Sequence, residues 1–112
     1  MENFEIEKAK SHIIVEIIEY VSNSVVSKTI INKTTGTINA VSFDTGKMLT
    51  EKILPFDTFV QIINGKAEIV IDGVSNFLDT GEAIIIPAHA SQIVKANERF
   101  KMISTIIKSG YE

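Results

Sequence analysis

The side chains able to do chemistry are few and thinly spread. His12 and His89 are the only two histidines and cysteine is absent, so disulfides, thiolate metal sites and cysteine nucleophiles are excluded. One histidine in the neighbourhood of Glu51 or Asp57 supplies too few donors for a transition metal, which takes several imidazole, thiolate or carboxylate ligands. Glu51 and Asp57 could act as paired carboxylates in acid/base chemistry, yet nothing in the sequence fixes their separation. No serine or threonine lies in a nucleophile motif, and no glycine-rich phosphate loop is present. His12 reads as a surface or interface histidine, far in sequence from the other candidates. Gln61, set between apolar neighbours in a strand-like run, is expected to point outward and serve sheet or interface packing.

The elements that must position these residues are mostly strands. The chain has 112 residues, enough for one domain around one core, and the expected domain is residues 1–112. Residues 11–20 set Ile14, Ile17, Ile18 and Val21 at helical spacing with Ser11 as a cap, which predicts a short helix. Their β-branched side chains lower helix propensity, so a strand is the alternative. From residue 25 onward the pattern is β. Residues 25–31 and 37–43 form an expected hairpin across a polar turn, and residues 48–54 follow Gly46 and end at Pro55. Asn64-Gly65 and Asp72-Gly73 both suit two-residue hairpin turns, because their residues accept positive φ. They would divide residues 59–63, 66–71 and 77–78 into three consecutive strands. Residues 83–86, 91–96 and 100–108 complete the set. About eight to ten short strands with such frequent turns mean an all-β sandwich or barrel.

Charge and hydropathy remove several function classes. A formal net charge of −3 with scattered lysines argues against nucleic acid, whose phosphates select basic surfaces. No apolar run approaches the roughly 18 residues of a membrane span, and the acidic start lacks the features of a secretory signal. A cytoplasmic protein is expected.

The turn residues decide between sandwich and barrel, because their spacing resembles the two motifs of the cupin superfamily. Gly46, Lys52, Leu54, Thr58 and Gly65 stand where a cupin's first motif has Gly, His, His, Glu and Gly. Gly81, Pro87, His89, Gln92 and Ala96 stand where the second has Gly, Pro, Gly, His and Asn. Segments 25–28, 54–57, 64–69 and 98–102 also resemble small single-domain bacterial cupins, so the likeness covers about residues 20–108, with motifs at about 46–65 and 81–96. It implies a jelly-roll barrel, or double-stranded β-helix, to which the spacing of residues 11–20 would add a short N-terminal helix.

Carried over position by position, the resemblance also implies that no metal is held. Lys52 repels a cation unless deprotonated, Leu54 has no donor atom, and the Thr58 hydroxyl and Gln92 amide are weak ligands for such metals. No cofactor is expected. The first-motif position of Lys52 would face the cavity, where a desolvated ammonium needs a carboxylate or anion beside it. The implied pocket is therefore Lys52, Thr58, His89 and Gln92, taking a small anion such as a carboxylate or phosphate. In the other orientation Lys52 turns to solvent and the barrel is plugged by its own side chains. Two further functions remain open. One is a cupin-type enzyme, either a metal-dependent oxygenase or isomerase or a metal-free sugar isomerase using His89 or Lys52 as acid or base. The other is a structural homodimer. A homodimer is expected in any case, since apolar sheet faces without covering helices must be hidden.

Overall fold

A computed structural model describes residues 5–110 of the protein. Eight antiparallel strands carry the fold: β1 (Val25–Lys33), β2 (Gly36–Phe43), β3 (Met48–Glu51), β4 (Thr58–Ile71), β5 (Val74–Asp79), β6 (Ala83–Ile86), β7 (Gln92–Lys95) and β8 (Phe100–Ile107). The first half of β4 lies between β8 and β6, in a sheet ordered β1-β2-β8-β4-β6. Its second half lies between β5 and β7, in a sheet ordered β5-β4-β7-β3. The two sheets curl around one core as a jelly roll.

The expected turn at Asn64-Gly65 does not form. The ladder with β8 shifts between Ile62 and Asn64, and the strand runs on through Gly65 at φ 92° into the second sheet. A side chain is excluded there, because a Cβ on Gly65 would crowd the Arg99 carbonyl and come within 2.9 Å of the Phe100 Cα. Asp72-Gly73, with φ of 47° and 82°, does form the expected two-residue hairpin between β4 and β5. The same dipeptide chemistry thus serves a bulge in one place and a turn in the other.

Inside the barrel, Phe43 and Phe100 stack with centroids 4.7 Å apart. Val41, Val60, Ile62, Ile69, Val94 and Met102 pack in the same cluster. Burying each aliphatic side chain of this size contributes about 1.5–3 kcal/mol.

The predicted helix over residues 11–20 is replaced by a single 3-10 turn at Ile14–Glu16 within an otherwise irregular segment. Its isoleucines serve a different purpose. Ile18, with Ile6 and Ile17, covers Ile30, Ala40 and Ile103 on the outer face of the first sheet. Polar contacts fix the cover in place: Ser42 Oγ donates to the Glu19 carbonyl and Lys101 Nζ to the Val15 carbonyl. Tyr20 accepts from Asn64 Nδ2 at 2.8 Å, with the Arg99 guanidinium and Lys101 ammonium over its ring. Desolvation raises the Tyr20 pKa. His12 is exposed in this segment, its Nε2 3.0 Å from the Glu7 carbonyl oxygen.

Candidate functional site

Three connections meet at one end of the barrel. β3 leaves there toward β4 through residues 52–57, β6 toward β7 through residues 87–91, and β4 toward β5 through Asp72-Gly73. They are bonded to one another. The His89 N–H donates to the Leu54 carbonyl, the Ala88 N–H to Asp57 Oδ1 at 2.8 Å, and both the N–H and hydroxyl of Ser91 to Asp72 Oδ1. This rim fixes the strand ends from which the candidate residues project.

The ladder decides which side chains face inward. On β7, Val94 is buried in the core, and it pairs with Leu49 on β3 and Ile69 on β4. Side chains two residues along share its face, so Gln92, Glu51 and Ile71 form the next inward row toward the rim. The opposite wall is built likewise: Thr58 pairs with Ile86 and Ile106, and Val60 with Ser104, which in turn pairs with Asn39. Thr58 is buried, while Glu51, Gln92, Ser104 and Asn39 are half-buried. Near the rim, polar side chains are therefore interspersed with Ile71, Ile86 and Ile106 along the inner wall.

The sequence-derived site is rearranged by this geometry. Thr58 and Gln92 are at inward positions on facing walls, but Lys52 is exposed just beyond the end of β3. Of the two orientations expected for Lys52 this is the solvent-facing one, because the pairing of β3 with β7 turns Glu51 inward in its place. His89 is also exposed, at φ 69°. A left-handed conformation at this position explains why the resembling motif has glycine here. Gln61 lies on the outer face, as expected from its neighbours Val60 and Ile62 in the core.

Glu51 was the residue undervalued by motif spacing. Burial alone raises its carboxyl pKa above the ordinary value. Among the described residues, none of the ion pairs includes it. The signal that would have found it is the ladder register, which glycine spacing does not encode.

The fold has well-matched relatives among solved structures. A protein of unknown function from Streptococcus pyogenes shares 27% identity at a TM-score of 0.88, over 98% of this chain and 97% of that one. A cupin 2 conserved barrel domain protein from Leptotrichia buccalis shares 29% identity at a TM-score of 0.81, over 84% of this chain and 46% of that one. The chain has the fold of a cupin barrel. A cupin superfamily protein from Desulfitobacterium hafniense has the same fold, with 23% identity and a TM-score of 0.86 over 96% of this chain and 97% of that one. No family model and no curated protein matches the sequence.

The metal that cupins commonly hold does not fit this barrel. Among the described residues no three His, Cys, Asp or Glu side chains come together as a possible metal site. At the inner wall one carboxylate, Glu51, stands with an amide and hydroxyls, a donor set too poor in imidazole and charge for a transition ion. Among the described residues, no helix is long and apolar enough to cross a membrane.

Proposed function

We propose that this cupin barrel binds a small molecule at its rim without a metal. The observation that carries the reading is the change along the inner wall from the Phe43–Phe100 core to half-buried Glu51, Gln92, Ser104 and Asn39. Half-buried polar groups converging above an apolar floor are the usual makeup of a ligand site. The anionic ligand suggested by Lys52 loses its anchor, since that lysine is exposed. Acid/base catalysis by His89 or Lys52 has correspondingly little support, both being outside the inner wall. The test is a screen of small polar compounds by two-dimensional amide NMR. Saturable shifts at Thr58, Gln92 and Ser104 are expected, and shifts confined to other surfaces would remove the proposal.

A homodimer is a second reading, favoured by the outer face of the first sheet beyond the N-terminal cover. Phe59, Ile85 and Ile107 are 38%, 60% and 48% exposed there. Phe59 also lines a groove of about 440 Å³ with Ile14, Gln61 and Ala83. Apolar exposure of this kind beside an edge strand favours self-association. Light scattering should give a dimer mass that Ile85→Lys reduces to monomer, and a monomeric parent protein would end this reading.

A further inference from the structure

The inner wall has a sign. Every lysine and arginine within a strand occupies an outward register position: Lys28 beside Ala40, Lys33 beside Gly36, Lys66 beside Asp79, Lys95 beside Glu68, and Lys101 beside Ser42. Arg99, outside the strands, is paired with Asp44 at 3.1 Å. Asp79 and Glu68 are outward as well, since the buried Ala67, Leu78 and Ile69 hold the alternate positions. Among the described strand residues, Glu51 is therefore the single ionisable side chain directed into the barrel.

An anion entering such a wall would meet a carboxylate and no cation, a repulsive and desolvating encounter. A cation would meet a counter-ion that makes no ion pair among the described residues. Beside it Gln92, and on the facing wall Thr58, Ser104 and Asn39, offer amide and hydroxyl groups that both donate and accept, suited to hydroxyl substituents on the ligand. Resting on the reading of the rim as a ligand site, we infer that the barrel takes a small organic ammonium compound bearing hydroxyl groups, with Glu51 as its counter-ion. The raised carboxyl pKa agrees with a group poised to gain from a positive partner.

The test uses the full-length protein and three probes of similar size: 3-amino-1-propanol as its hydrochloride, glycerol and inorganic phosphate. The aminoalcohol is expected to shift the amides of Glu51, Thr58, Gln92 and Ser104 saturably, and phosphate to leave them unmoved. Glu51→Gln, nearly isosteric, should weaken the aminoalcohol about tenfold, the scale of a charge-assisted hydrogen bond. Glu51→Asp should retain part of the affinity, and Lys52→Met all of it. Phosphate or glycerol binding at these amides without the aminoalcohol would overturn the ligand class while leaving the rim as a ligand site. Absence of any binding would overturn both, and equal aminoalcohol affinity in Glu51→Gln would remove Glu51 from the role.

Discussion

The backbone N–H of His89 donates to the carbonyl oxygen of Leu54 across 2.7 Å, and it does so from a left-handed conformation with φ 69°. The bond closes the rim by joining the β3–β4 connection to the β6–β7 connection. It is made at a conformational cost, because a Cβ disfavours this backbone geometry.

Replacing His89 by glycine should therefore stabilise the protein. Relief of the left-handed strain outweighs the added freedom of the unfolded chain by about 0.5–1 kcal/mol. Thermal unfolding would register this as a rise of about 2–6 °C. His89→Val should lower the midpoint, since a β-branched residue tolerates positive φ least. Equal midpoints for the glycine, valine and parent proteins would contradict the account.

Gly65→Ala should cost more than Gly73→Ala, although both glycines have positive φ, 92° and 82°. At Gly73 an added Cβ meets nothing within 4 Å, so the cost is conformational, about 1 kcal/mol. At Gly65 it meets Arg99 and Phe100 backbone, which cannot yield without moving β8. A total of about 2–3 kcal/mol is expected. Urea midpoints of the two variants give the comparison directly.

Glu51 should make the protein less stable as pH rises. Its folded pKa lies above its ordinary value, so between the two the folded state holds the proton that the unfolded state has released. Stability is then lost with rising pH through this window, and the penalty persists above it. Glu5, Asp44 and Glu68 act in the opposite sense: hydrogen bonds from the Asn32 N–H, the Asn23 N–H and the Ser75 hydroxyl, respectively, are the largest causes of their lowered pKa values. Their contribution is present above the ordinary carboxylate range and lost as pH falls. Comparing the parent with Glu51→Gln cancels these three. The variant's stability advantage should grow from pH 4 to pH 7, and a constant difference would show that Glu51 does not titrate as its burial implies.

Chelation should leave the protein unchanged. With one inward carboxylate and no inward histidine among the described strand residues, EDTA is expected to alter neither the unfolding midpoint nor the amide spectrum. Elemental analysis should find no transition metal near one equivalent. A stoichiometric ion whose removal lowers the midpoint would refute the reading of the wall.

Strand positions were legible because β-branched runs and turn dipeptides coincide, as at Asp72-Gly73. Asn64-Gly65 has the same local chemistry, and only the packing of Phe100 against it distinguishes a bulge from a turn. The spacing of Ile14, Ile17 and Ile18 was equally ambiguous: it arises here from a segment laid over a sheet, which needs apolar contacts but not helical hydrogen bonds. At the rim, Thr58 and Gln92 could be placed by motif spacing. Glu51 and Lys52 could not, since adjacent strand residues face opposite ways and the pairing with β7 chooses between them.

The passage of β4 through both sheets has a consequence for how the molecule comes apart. A strand owned in common gives neither sheet an independent boundary, so fraying of one half withdraws the template from the other. Opening is expected to be all-or-none across the barrel interior, with the outermost strands the first to loosen. Assembly carries the mirror-image constraint: pairing Gly65 with Phe100 and Thr58 with Ile106 closes long stretches of chain, which sets a slow, topology-limited pace.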